Sequence, residues 1–272
     1  MKPEMLATTP QAIATDTWLI PSLAANPTGG YLGAHSVVIT GEQPLIADTS
    51  VLFGRDAWLE NVFSVVEPED VRWVFLSHDD HDHLGNLDPV LDLCPNATLL
   101  ASYAIVGRLF GDIDLPLERM RWLNIGESVD LGDRELVMVR PPMFDSPSTR
   151  GFFDTTSRML WGADTFGSAF PGAVYEADEI PADVYDPSFV MLNMMNTPWL
   201  EWADADRFGA LTQTTESLPI ELVASAHGPV HRGDRITDAY RRTRRLVGQT
   251  PEPQPGQDIL ELLLAMLATA GV

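Results

Sequence analysis

The sequence predicts a layered α/β (α+β) domain in which two mixed sheets are flanked by helices, and three observations carry the prediction. Strand-length apolar runs bounded by turn residues recur along the chain. Stretches of helical periodicity separate them, and 45% of the 272 residues are hydrophobic, enough for a sizeable core. SVVIT (36–40) and PLIAD (44–48) flank Gly41–Glu42–Gln43 and read as a strand pair. VRWVFLS (71–77) is nearly continuous in apolar residues, as expected of a strand covered on both faces. NLDPVLDLC (86–94) has helical periodicity, ATLLAS (97–102) reads as another buried strand, and ELVMVR (135–140), RMLWG (158–162) and ELVAS (221–225) continue the series. Further helices are expected at about 54–62, 103–110, 201–217 and 233–247. Residues 1–250 are therefore expected to form one domain. Residues 251–272 would follow it as a short stiff linker (Pro251, Pro253, Pro255) and an apolar helix at 258–270, docked on the domain or on a second subunit.

Charge and cysteine usage exclude several classes. The chain carries 39 acidic against 17 basic residues, a net charge of −22, which repels phosphate backbones and argues against nucleic acid as a partner. The one basic cluster, Arg241, Arg242, Arg244 and Arg245, is expected on a late helix as a solvated or acid-pairing face. No apolar run reaches the roughly 18 residues of a membrane span, and MKPEMLATTPQAIATDTW lacks the pattern of a secretory signal. The single cysteine, Cys94, has no intrachain partner. A cytoplasmic location is the expectation, with no membrane partner.

The informative segment is FLSHDDHDHLGN (75–86), in which three histidines and three aspartates fill positions 78–83 directly after a buried strand. Strand exits are where α/β proteins place their chemistry. In an extended segment His78 and Asp80 point the same way. As the chain turns into the next helix, Asp82 and His83 aim at a second point nearby. Two His–carboxylate pairs on one loop suit two adjacent cations better than a merely solvated loop.

This segment resembles the H-x-H-x-D-H signature of the metallo-β-lactamase superfamily, with Asp80 where hydrolases usually carry a second histidine. An acidic residue there is similar to the diiron domain of flavodiiron proteins and of the related oxygen-binding diiron proteins. PLIADTS (44–50) resembles the superfamily's early strand ending in Asp-Thr-Gly. LWGADTFG (160–167) resembles the strand that presents the metal-bridging aspartate, here Asp164, and ASAHGPV (224–230) resembles the segment of the last histidine ligand, here His227. The matches run in the family's order from about residue 17 to 231. The fold implied is a metallo-β-lactamase-like αββα sandwich.

The resemblance also implies a ligand set. One metal would take His78, Asp80 and Asp145; the other would take Asp82, His83 and His227, with Asp164 between them. Asp145 stands 19 positions before Asp164, where flavodiiron proteins have a histidine, so it is either a substituted ligand or a plain loop residue. His35, at the start of a strand that borders the metal site in the family, either stands beside the metals or is a satisfied structural histidine; His81, lying between ligand positions, would sit beside the metals and point away. His231 reads as a surface residue, and Phe152, Phe153, Trp199 and Trp202 are candidates to roof a pocket, or simply to pack.

Oxygen-rich donors without thiolate suit two iron ions, with manganese or zinc as alternatives. The resemblance then implies O2 or NO as the small-molecule ligand, and a homodimer is expected. The segment shows no Gly-rich phosphate loop and ends without a flavodoxin region, so no flavin is expected on it, and electrons would come from a separate donor protein. The rival reading is a dimetal hydrolase of a small ester, thioester, lactone or phosphoester, in which Asp82 acts as ligand and proton acceptor. Asp80 weighs against it, because its charge lowers the Lewis acidity of its metal. A degenerate binding module is the third reading, disfavoured by so complete a ligand set.

Overall fold

The structure is a computed structural model and describes residues 3–27, 29–111, 113–253 and 256–270. Alternation along the strands decides its layering. In chain order the first sheet collects β1 (Gln11–Ala14) and β2 (Thr17–Ile20), then, after the small β3 (Leu23–Ala25) and β4 (Tyr31–Gly33) ribbon, β5 (Ser36–Ile39) and β6 (Leu45–Ala47). Helix α1 (Arg55–Phe63) leads into β7 (Trp73–Phe75), α2 (His81–Leu84), α3 (Leu87–Leu93), β8 (Thr98–Ala101), α4 (Tyr103–Leu109) and β9 (Met120–Trp122). The strand order is β1-β2-β5-β6-β7-β8-β9, antiparallel as far as β6 and parallel from β6 to β9.

The second sheet is built from β10 (Ser128–Asp130), β11 (Glu135–Val139), β12 (Gly151–Asp154), β13 (Met159–Trp161), β14 (Leu222–Ala224) and β15 (His231–Arg232). Its helices are α5 (Ala182–Asn196), α6 (Ala205–Glu216) and α7 (Asp234–Arg245).

Successive side chains point to opposite faces, and each sheet uses both. Val37, Ile39, Phe75 and Leu100 of the first sheet meet Leu136, Phe152, Met159 and Trp161 of the second in one buried cluster between the sheets. Val38, Ile46, Val74 and Leu99 turn outward onto Trp58 and Val62 of α1, Val90 of α3 and Ile105 of α4. Phe153, Leu160 and Val223 face Tyr185 and Phe189 of α5, Phe208 of α6 and Ile236 and Tyr240 of α7. The result is the αββα sandwich expected from the sequence.

Some local expectations are corrected. The helix expected at 201–217 is a 3-10 segment, Pro198–Trp202, followed by α6, because the Asp204 side chain accepts the Arg207 N–H and starts a new helix. Helix α5 was not expected from the sequence, since Pro187 lies inside it. Burial of Tyr185, Phe189, Leu192 and Met194 outweighs the lost backbone donor. Strand β12 lies in a segment whose Pro147 and Gly151 suggest a loop; pairing to both β11 and β13 makes it a strand. A last helix, α8 (Gln257–Ala270), follows Pro251 and Pro253, with Leu260, Leu262 and Leu264 exposed. Pro255 lies outside the described residues. Among the described residues no helix is long and apolar enough to cross a membrane.

Candidate metal centre

Every loop that carries a candidate ligand leaves the same edge of the sandwich. The chain passes from β7 into Ser77 and His78, from β13 into Ala163 and Asp164, and from β14 into Ser225 and His227. Asp80 occupies the position before α2, whose single turn presents Asp82 and His83. The turns are tight: Asp48, Ser50, Ala163 and Phe166 adopt left-handed backbone, a conformation L-residues avoid unless the surroundings enforce it. Gly228 is required where it stands, because a Cβ there would lie 2.3 Å from the Phe166 carbonyl oxygen.

All seven residues named as ligands from the sequence gather in one cluster. His78 Nε2 stands 4.0 Å from both Asp80 Oδ2 and Asp145 Oδ1, and 3.5 Å from Asp164 Oδ2. His227 Nε2 lies 3.3 Å from Asp82 Oδ2 and 3.4 Å from Asp164 Oδ1, and His83 Nε2 is 2.9 Å from that same Oδ1. Two trios of ligand-type atoms result, His78–Asp80–Asp145 and Asp82–His83–His227, and a third, His78–His83–Asp164, joins them.

The imidazoles are turned so that Nε2 faces the cluster. His83 Nδ1 donates to Asp48 Oδ2 at 3.0 Å and His227 Nδ1 donates to the Gly33 carbonyl at 2.6 Å. His78 Nδ1 lies 3.0 Å from Ser77 Oγ, whose hydroxyl donates to Asp48 Oδ2 at 2.7 Å. Asp48, from the PLIADTS segment, also accepts the Ser77 N–H and the Trp161 indole N–H. Its orienting role was not read from the sequence, although the Asp-Thr-Ser motif marked it. A carboxylate behind a ligating histidine fixes its tautomer and orientation.

These donors fit a cation. His78 Nε2, His83 Nε2 and Asp164 Oδ1 are buried without an aligned hydrogen bond, although His83 Nε2 and Asp164 Oδ1 lie 2.9 Å apart; buried polar atoms left so are rare. Burial alone would lower His83, yet the Asp164 and Asp48 carboxylates hold it well above the ordinary histidine value. His227, also opposed by burial, is raised to about 9, chiefly by Asp164. Asp164 is held well below the carboxylate range against burial by His78, His83 and His227. Asp80 is pushed up by burial and by the Asp145 and Asp164 charges, with His78 opposing. The carboxylates thus favour positive charge at the centre of the cluster, the place metal ions take when they bind.

A cavity of about 250 Å³ opens on the cluster, lined by Asp80, Asp82, Asp145, Asp164 and His227 on one side. Leu32, Val51, Leu192, Met195 and Asn196 line the other, the last three from the unforeseen α5. Asn196 Nδ2 donates to Asp164 Oδ2 at 3.5 Å. A larger surface groove of about 530 Å³, between Thr40 and Arg72, lies away from these side chains.

Of the histidines expected outside the ligand set, His81 is exposed on α2. His35 is fully buried beside the cluster; its Nδ1 accepts the Ser22 N–H at 3.1 Å, and its ring meets Phe170 edge-on. Burial, with His227 adding to it, lowers its pKa to about 3. His231 is not a surface residue. It is buried and accepts the Tyr185 hydroxyl at 2.7 Å, because β15 folds back against β14 and carries it beneath α5. None of the four aromatics roofs the pocket: Phe152 and Phe153 lie in the two cores, the Trp199 indole donates to the Phe144 carbonyl, and Trp202 is exposed. The arginines of α7 pair with acids, Arg241 and Arg242 with Asp238 and Arg244 with Glu216.

A family model described as ODP family beta lactamase matches residues 34–228, which span every clustered side chain. The chain belongs to this family. A Nostoc sp. protein described as a diflavin flavoprotein is 28% identical over 76% of this chain and 35% of its own length. The anaerobic nitric oxide reductase flavorubredoxin of Vibrio vulnificus is 22% identical over 73% of this chain and 40% of its own. The flavodiiron protein of Giardia intestinalis superposes with a TM-score of 0.77 at 18% identity, over 90% of this chain and 60% of that one. This ODP-family chain therefore has the flavodiiron core fold and spans little more than a third of the length of the curated relatives it matches.

Proposed function

We propose that this ODP-family chain is a diiron protein that binds or reduces O2 or NO with electrons from a separate donor, acting in the cytoplasm as a homodimer. The observation that carries the reading is the placement of Asp164, whose two oxygens face two different His–carboxylate trios, as a bridge between two cations roughly 3.5–4 Å apart requires. Four carboxylates offset the charge of two divalent ions, and the donor set suits iron, with manganese or zinc as substitutes. Held there, two ferrous ions would supply electrons to a small ligand. The relative named as a nitric oxide reductase supports this class of substrate.

The protein's own groups do the rest. His78, Asp80 and Asp145 would hold one ion and Asp82, His83 and His227 the other. Leu32, Val51, Leu192 and Met195 give the cavity apolar lining, and 250 Å³ admits a small ligand. Asn196 offers an amide donor at the cavity wall. Residues 1–250 form the dimetal domain in this reading. Residues 251–272 lie beyond it, with the exposed leucines of α8 suited to docking on the domain or on a second subunit.

Iron-loaded protein, reduced anaerobically and then mixed with O2 or NO, is the test. A visible absorption change that disappears in His227→Ala is the expected result. No change, together with cleavage of thioesters, lactones or phosphodiesters by zinc-loaded protein at the ~10 s⁻¹ typical of enzymes, would replace the redox reading by a hydrolytic one.

A further inference from the structure

Alternation along the metal loop leaves one carboxylate facing the wrong way for ligation. His78 and Asp80 look into the cluster; Asp79, between them, looks out of it. Its carboxylate is nearly buried, accepting the Ser148 hydroxyl at 2.6 Å and the Arg108 guanidinium. Ser148 is fully buried, in the same loop as Asp145. Its hydroxyl lies 2.6 Å from Ser146 Oγ, and its carbonyl accepts the Ser102 hydroxyl at 3.1 Å.

The two halves of the centre are held differently. His83 and His227 are oriented by groups that themselves lie in the core, Asp48 and the Gly33 carbonyl. Both halves also have carboxylates at the rim: Asp82 alone in that half, its side chain 36% exposed, but Asp80 and Asp145 together in the other, 45% and 21% exposed and each 4.0 Å from His78. Like charges that close push their loops apart unless something ties them. Asp145 itself accepts a weak hydrogen bond from Thr149 Oγ1 at 3.2 Å, within its own loop. The Asp79–Ser148 bond joins the loop of Asp80 to the loop of Asp145, alongside the backbone bond from Arg150 N to the Ser77 carbonyl at 2.9 Å.

We propose that Ser148, acting through Asp79, is the positioning residue for Asp145, and so sets how tightly the His78–Asp80–Asp145 half of the centre holds its cation. The inference rests on the dimetal reading above. It makes this half the weaker one and the second to fill, under the control of a hydrogen bond that touches no metal.

Metal-free protein of residues 1–272 is titrated anaerobically with Mn²⁺, and free ion is counted by electron paramagnetic resonance. Wild type is expected to take up two ions per chain in two steps. Ser148→Ala should weaken the second step about 10- to 100-fold, the usual loss for a group behind a ligand, and leave the first step unchanged. Asp79→Ala removes the acceptor of the same bond and should weaken the same step, which keeps the test open if Ser148→Ala does not fold. Asp145→Ala should abolish the second step. Should Asp145→Ala titrate like wild type, Asp145 is no ligand and the inference falls while the dimetal reading stands; wild-type protein that takes up fewer than two ions overturns the dimetal reading itself. If Asp145→Ala loses an ion while Ser148→Ala titrates like wild type, or weakens both steps equally, the inference alone is overturned.

Discussion

Asp164 divides its carboxylate between two histidines, with Oδ2 3.5 Å from His78 Nε2 and Oδ1 2.9 Å from His83 Nε2. One side chain therefore addresses both halves of the cluster, whereas Asp145 joins His78 and Asp80 in one half. Asp164→Ala is expected to remove both metal ions and Asp145→Ala mainly one. Elemental analysis of protein purified from iron-supplemented culture checks this, and equal losses in the two variants would mean that the bridge is misassigned.

Asp48 is the hub behind the cluster, accepting from His83 Nδ1, the Ser77 N–H, the Ser77 hydroxyl and the Trp161 indole. Asp48→Asn substitutes an amide donor for one acceptor oxygen and should lower metal affinity about 10- to 100-fold. Calorimetric titration measures the affinity, and thermal melting of the metal-free variant measures the cost to the fold. Unchanged affinity with a lowered melting point would leave Asp48 a purely structural residue.

Gly228 stands where a Cβ would lie 2.3 Å from the Phe166 carbonyl oxygen, one residue after His227. Gly228→Ala should cost about 1–3 kcal/mol of stability and also weaken metal binding, because relief of the clash shifts the loop of His227. Denaturant unfolding of metal-free protein gives the first quantity and a metal titration the second. Wild-type values in both would show that the turn relaxes freely.

His231 links stability to acid. Burial lowers its pKa from 6.5 to about 4. Between those values the unfolded chain binds the proton and the folded protein does not, so stability present above pH 6.5 is lost as pH falls toward 4. The shift corresponds to on the order of 3 kcal/mol. In EDTA-treated protein, His231→Gln is expected to reduce the loss over this window by about that amount; the fully buried His35 keeps its own contribution. Equal pH profiles for variant and wild type would refute the assignment.

The layered fold and the clustered side chains of residues 78–83 are legible locally: buried strands announce themselves as apolar runs, and six consecutive ligand-type residues at a strand exit concentrate metal donors where the fold places its chemistry. Asp145, Asp164 and His227 are legible only through the resemblance of their segments to the flavodiiron pattern. Tertiary structure alone decided what depends on distant partners. Asp48 and His83 are 35 positions apart and meet only because β6 and β7 pair in parallel. His231 is buried because β15 returns beneath α5, and polarity in sequence gives no sign of that. Helix α5 itself contains a proline that local propensity counts against, yet its packing against the second sheet outweighs the lost hydrogen bond and carries Leu192, Met195 and Asn196 to the cavity. Local propensities act over a few residues, whereas burial and hydrogen bonding act on whatever the topology brings together.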